Sequence, residues 1–509
     1  MPLLVMISLS VASGLIIEFR GAPLKSDLSL WLYSEAHARG YREILPGFTA
    51  QTGRTVGLGL IPQQSLNTRM VSLFMTGRTE GELPDLVELE IADIGKYFRP
   101  PVNDVGLLPL NSYLSNSGFL EIPGTSAPGH EGANARSRSD GKIYTYRAGR
   151  WTVNTERSRP DAWIDRIVGS RLAPFSKQGI IFGVPHDVHP VTLSYRKDLW
   201  DEAGVDPEWA VAPDGVKRRP TWPEFQEKCL KFQMFWKTHG VRNRHAMELF
   251  QSQPDMLVCL LLQRHINVID ENGDLHLTDA RTVQTVAFYA QLVAGLRQVA
   301  VEAAGGTGPW ANDIIQGNIC SFLTPDWRLT DLRRYAPDLA GKLRMMPLPR
   351  FESTDRAGRR CPEMDDAATS TWGGTMIGIA RSSKHPDDAW KLIEFLDFSD
   401  VGLESRARNT NNLPPLRDYW DKPFFHQPDP FFGGQKTFEM YVDLADQIPP
   451  RFETWSSALG RYGLGYTLNQ CTGYLRRGGS VEGLEEYAAS QLARVERYVR
   501  RCIEHGTFQ

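Results

Sequence analysis

The chain has 509 residues, with 57 Lys and Arg set against 60 Asp and Glu for a net charge of −3. At about 150 residues per domain that is roughly three units or two large ones. The 41% apolar share, an ordinary globular figure once the 45 glycines are counted, and a mean hydropathy of −0.34 exclude disordered, collagen-like, disulfide-scaffold and polytopic membrane classes, and the charge balance leaves no basic surface for nucleic acid.

Residues 2–17, PLLVMISLSVASGLII, carry no charge before Glu18. At 1.5 Å per residue the run covers about 24 Å, short of a full bilayer span. Residues 1–26 therefore read as a signal or anchor segment, although no basic residue precedes the apolar run. From Leu28 the pattern alternates strand and helix. LSLWLY is a strand, Glu35 to Thr52 a helix stopped at Gly53, and TVGLGLIP a second strand. Leu66 to Met75 forms another helix, and PDLVELE a third strand. This alternation predicts βαβ units and a mainly parallel sheet. Ligands bind beyond the carboxyl ends of such strands, which makes Ser34, Glu35, Glu88 and Glu90 candidates for the rim of a cleft.

Residues 115–178 are polar, Ser- and Gly-rich and dense in Arg, and read as an exposed insertion. Order resumes at FGVPHDVHPVTLSYRKDLWDEAGV. In TWPEFQEKCLKF, Thr221 stands three residues before Glu224, a capping box. VIDENGDLHLTD reads as a hairpin turning at Asn272-Gly273. Its Asp270, Asn272 and Asp274 mimic the start of a calcium loop, but the bidentate Glu is missing. Thr278 or Asp279 then caps a helix through Leu296. The six cysteines form no CxxC pair or zinc spacing, and Cys259 and Cys320 sit in apolar runs that suit buried thiols. His186 and His189 flank Asp187 without a third ligand in sequence, so neither a metal nor a cofactor is expected.

Taken together, LSLWLYSE, TGRTVGLGLI, LPDLVELE, VGLLPLNSYL, the FGVPHDVHP crossover, IIQGNICSFLTPDWR, RMMPLPR, TSTWGGTMIGIARSSKHPDDAWKLIEFL and NNLPP come in one order. In that order they resemble the family 1 extracellular solute-binding proteins of sugar ABC transporters, the maltose-binding-protein-like group. The resemblance covers most of residues 27–416. It departs at the insertion, the N-terminus and the long tail after Pro415.

The resemblance implies an α/β, two-lobe, type II periplasmic-binding-protein fold with the ligand cleft between discontinuous lobes. Lobe 1 would comprise 27–187, with the insertion 115–178, and a return at 368–412. Lobe 2 would comprise 188–367 and the C-terminal helices of 413–509. Crossovers fall near Asp187 to Pro190, Ala368 to Trp372 and Asn411 to Pro415. It further implies a monomeric, non-catalytic, exported protein that closes by hinge motion over a sugar or oligosaccharide. Such a protein delivers its ligand to ABC permease subunits at the outer face of the cytoplasmic membrane, which the N-terminal segment could contact.

A sugar offers C–H faces to aromatic planes and hydroxyls to carboxylates, amides and Arg. On that logic Trp327 and Trp372 are the expected stacking residues, holding one sugar from opposite lobes. Gly373 and Gly374 allow close backbone approach, and Asp187 and Glu35 are the leading hydroxyl acceptors. Ser34, Glu88, Glu90, Asp326, Arg328 and Asn411 complete the candidate set. The alternative is a secreted glycosidase or lyase, which would need two carboxylates about 5–9 Å apart.

Overall fold

The computed structural model describes residues 26–76, 83–116, 167–212, 214–303, 306–351 and 367–505, with short strands at 120–121, 134–136, 143–147 and 150–153. The apolar run at 2–17 and Cys361 lie outside the described residues, as does most of the 115–178 insertion.

The first sheet grows from β1 (Leu28–Leu32), β2 (Val56–Leu60) and β3 (Leu86–Glu90). β1 pairs in parallel with both β2 and β3, as the strand–helix alternation requires. Helix α1 (Glu35–Thr52) starts on Ser34, whose hydroxyl accepts from the His37 amide, and stops at Gly53 at a φ of 72°. Side chains alternate along β3. Leu86 joins the core under α1, while Val87 and Leu89 join a second core with Leu66, Phe98, Phe175 and Phe182.

The chain leaves this sheet after β4 (Val184–Pro185) and enters a second sheet at β5 (Val191–Arg196), where β5 lies between β6 (Ser321–Pro325) and β7 (Leu343–Pro347). Both β5 pairings are antiparallel. The expectation of a mainly parallel sheet therefore holds only for the β1, β2 and β3 part of the first sheet, whose other two pairings are antiparallel. All six β5 residues are buried, because β6 and β7 flank its two edges, helices cover one face and the 413–448 segment backs the other. The chain returns to the first sheet at β8 (Thr375–Ile379), antiparallel to both β3 and β4.

The covering helices follow from their patterns. α2 (Trp222–Thr238) carries the full capping box between Thr221 and Glu224, with Trp222, Phe225, Cys229 and Phe232 facing inward. α3 (Ala280–Val293) ends three residues earlier than the sequence suggests. The Thr278 hydroxyl bonds Glu496 instead of capping it. Asp270 supplies its carboxylate to the Asn272 and Asp274 amides and to His276, so the calcium-like stretch is a self-satisfied turn. The five described cysteines are free and buried, and burial pushes the Cys320 thiol up to about 12. Among the described residues no helix is long and apolar enough to cross a membrane.

Thr221→Ala removes the hydroxyl that accepts from the Glu224 amide and should cost about 1 kcal/mol, read as a lower urea midpoint with an unchanged slope.

Candidate ligand site

The two sheets are joined by segments that lie side by side. Pro190 bridges Thr371, and the Val188 amide donates to the Leu413 carbonyl at 3.0 Å. At their centre is His189, held at a φ of 56°. Its Nε2 lies 3.1 Å from Asp187 Oδ2 and its Nδ1 2.5 Å from Asp326 Oδ1. Asp187 also accepts from the Thr375 amide at 3.1 Å and from the Arg171 guanidinium at 3.3 Å. Asp326 accepts from the Leu413 amide at 2.6 Å and from the Trp327 amide at 2.9 Å.

Burial alone would lower the His189 pKa, but the two carboxylates outweigh it and raise it to about 10. Burial would likewise raise Asp187, yet His189 and Arg171 hold it well below the usual carboxylate range.

Several site expectations change as a result. Asp187 and Asp326 are fully buried and engaged by protein groups, so the structure gives them a role in the crossovers and not as free hydroxyl acceptors. Arg171, inside the stretch read as an exposed insertion, is fully buried. It donates to the Asp187 carbonyl and the Thr371 hydroxyl. It also occupies the space a side chain on Gly374 would need, so Gly374, at a φ of 136°, makes room for protein and not for ligand. Asn411 ends a helix at a φ of 54°. Its side chain is taken by Arg333 and Thr330. Arg328 is buried against Glu248 at 2.7 Å, and Glu35 is exposed beside Arg42.

Glu88 is buried too, accepting from the Tyr41 hydroxyl at 2.6 Å and lying 3.0 Å from His37 Nδ1. Burial would raise it, but His37 and the Tyr41 hydrogen bond keep it below its ordinary value. His37, Glu88 and His186 each place a ligand atom within 4.8 Å of the others, the one such grouping among the described residues. The two imidazole centroids lie 4.2 Å apart with the rings tilted by 37°. Burial and nearby Arg406 keep His186 neutral. The cluster works as a hydrogen-bond network tying α1 to β3 and to the first crossover.

The half-buried candidates do converge. Trp327 and Trp372 meet edge to face at 5.4 Å, with the Trp327 indole N–H donating to the Trp372 carbonyl at 3.2 Å. Arg328 lies over the Trp372 ring at 4.7 Å, and Phe250 meets its edge at 5.6 Å. The two rings touch each other, so they form one wall and not the two opposed jaws that the sequence suggests. Gly373, at a φ of 78°, lies beside Trp327, His189 and Glu90. Glu90 caps the turn after β3 through the Ala92 amide at 2.5 Å. Burial pushes its carboxyl up to about 7, against the pull of Arg451. Ser34, at the start of α1, is half-buried. Tyr33, which sequence reasoning passed over, lies next to it and bonds the Thr375 hydroxyl at 2.8 Å. Its aromatic ring at a strand's carboxyl end was the available signal.

No family model matches the chain. It is 28% identical over 291 residues to an arabinooligosaccharide-binding protein of Halalkalibacterium halodurans, covering 56% of this chain and 59% of that one. It is 22% identical over 275 residues to a lactose-binding protein of Rhizobium radiobacter, covering 53% and 58%. The chain thus spans about three fifths of the length of the curated relatives it matches.

Among solved structures it resembles an ABC transporter solute-binding protein from Thermotoga lettingae bound with α-D-tagatose, at a TM-score of 0.62 and 15% identity over 92% of this chain and 99% of that one. It also resembles the sugar-binding protein MalE of Xanthomonas citri, at 0.59 and 19% over 94% and 100%. The fold is the α/β two-lobe type II periplasmic-binding-protein fold. Sugar-binding proteins of ABC transporters are the group that the sequence resemblance names.

Because the His189 pKa is raised, its contribution to stability is complete below the unfolded value of 6.5 and is lost as pH rises toward 10. Unfolding free energy should therefore decline over that window, by at most about 1.4 kcal/mol per pH unit from this group. Denaturation of His189→Gln across the same range should show a flatter profile. An equally steep decline in the variant would assign the effect elsewhere.

Proposed function

We propose that the chain is the exported substrate-binding component of an ABC importer. It takes a sugar or oligosaccharide into the cleft between its lobes, closes by hinge motion, and delivers the ligand to a permease at the outer face of the cytoplasmic membrane. Lobe 1 is 27–187 with 368–412, and lobe 2 is 188–367 with 413–509. The observation that carries the reading is the wall of Trp327 and Trp372. Both rings stay partly open to solvent beside Glu90, Gly373 and the three crossovers. Aromatic faces next to a carboxyl that titrates near neutrality suit an uncharged polyol, with stacking below and hydrogen bonds at the rim. The relatives' sugars support that ligand class.

A glycosidase would need a second carboxylate free to work opposite Glu90. Asp187, Asp326 and Glu88 are instead committed to His189, Arg171, His37 and Tyr41. With relatives that are binding proteins, this supports the non-catalytic reading.

Titration calorimetry with arabino-oligosaccharides and lactose tests the proposal, and a chain that binds no sugar overturns it. Trp372→Ala should cost about 2–4 kcal/mol of binding, on the order of 30- to 1,000-fold in Kd. Its unliganded melting should shift far less than for a core tryptophan such as Trp222. Glu90→Gln should abolish any change of sugar affinity between pH 6 and 8, because the replaced carboxyl titrates near 7. A pH dependence that survives in Glu90→Gln would remove Glu90 from the site.

A further inference from the structure

The segment from Pro450 to Arg461 belongs to the second lobe by its packing. Asn267 donates to the Pro450 carbonyl at 2.9 Å and accepts from the Phe452 amide at 3.0 Å. Gly460 lies against Val268 and Ile269. The helix it opens, Ser457–Arg476, buries Leu464, Leu468 and Cys471 in the second lobe's core.

Yet the same segment touches the first lobe at the turn immediately after Glu90. Arg461 donates to the Ala92 carbonyl. The Thr454 backbone lies against Gly95 so closely that a Cβ there would overlap the Thr454 carbonyl oxygen. Gly95 has an ordinary helical φ of −54°, so close approach, and not backbone conformation, is what excludes a side chain. The strut is stiffened from within. Glu453 accepts from Arg461 through both oxygens at 2.9 Å and from Arg451 at 2.7 Å. Arg451 and Glu453 are buried, at 7% and 6% exposure.

We propose that this contact is a closing latch. Arg461 and the Thr454 backbone, carried by lobe 2, seat on Ala92 and Gly95 of lobe 1 and fix the Glu90 side of the cleft when the lobes come together. The inference rests on the two-lobe binding reading and adds the residues that position its closed form. The crossovers lie at residues 186–190, 368–374 and 411–415, so the contact at 450–461 is separate from the hinge connections in sequence. Gly95 acts as the keyhole, Arg461 as the bolt, and Arg451 with Glu453 as its mount.

Spin labels on Arg39→Cys, exposed on α1, and Met234→Cys, exposed on α2, report the lobe separation by pulsed electron resonance, with and without the arabino-oligosaccharide and lactose panel. The native background should populate a short distance. Gly95→Val should lose that population several-fold through steric blockage. Arg461→Met, which adds no bulk at the interface but leaves buried Glu453 with Arg451 alone, should reduce it by less. Melting of unliganded Gly95→Val should stay near native. A native chain that never populates the short distance overturns the latch, as do variants that retain it in full. A short distance that is populated, lost in the variants and unmoved by any sugar supports the latch while overturning the sugar reading.

Discussion

A protonated histidine held between two buried carboxylates organises the junction of this molecule. His189 takes Asp187 from its own crossover and Asp326 from the end of β6. Asp326 in turn receives the amide of Leu413 in the last crossover. Removing one partner from such a group leaves an uncompensated charge in a low-dielectric interior, commonly 3–5 kcal/mol. The left-handed backbone at His189, which costs a non-glycine residue about 1–2 kcal/mol, persists because both carboxylates demand that position of the ring. The first and last connections are thus pinned at one point.

The aromatic wall inherits its position from that junction. Asp326 holds the Trp327 amide as well as His189, so the charge that sets the crossover also sets where the helix bearing Trp327 begins. On the other side, Arg171 reaches Asp187, Thr371 and the Gly373 carbonyl and so fixes the backbone on either side of Trp372. The two rings then meet through the Trp327 N–H and the Trp372 carbonyl. Neither tryptophan needs a ligand to be ordered, which is the pre-organisation that spares a binding site the entropy of assembling itself.

Much of this was legible in the residues, for identifiable reasons. Helix α1 could be read to its last residue because Ser34 and Gly53 are unambiguous start and stop signals, and the Thr221 capping box was equally plain. The crossover near Asp187 to Pro190 and the pair of tryptophans came from the resemblance. What could not be read was which carboxylates remain free. Asp187 and Asp326 stand in the loops where a ligand acceptor would stand, and only the packing of His189 between them, 137 residues from Asp326, shows them to be engaged. Arg171 misled for the same reason. It closes a run rich in polar residues, and nothing local marks it as turning inward. The antiparallel second sheet escaped because β6 and β7 pair with β5 across more than a hundred residues, beyond the reach of any local pattern.

Glu88 and Glu90 show how finely the site is drawn. They occupy alternate positions of β3 and so project to one face, about 7 Å apart along the strand. One step inside, Glu88 lies beneath α1, where Tyr41 and His37 satisfy it and hold it ionised. At the strand's end, Glu90 meets the edge of the cleft with one amide and distant arginines for company, and burial moves its carboxyl to about 7. The first carboxylate has no capacity left for a ligand. The second can donate or accept a hydrogen bond within a narrow pH range, a property suited to hydroxyls, which themselves do both. A single strand thereby separates a carboxylate spent on structure from one left with hydrogen-bonding capacity, and it is the helix laid over its inner half that decides which is which.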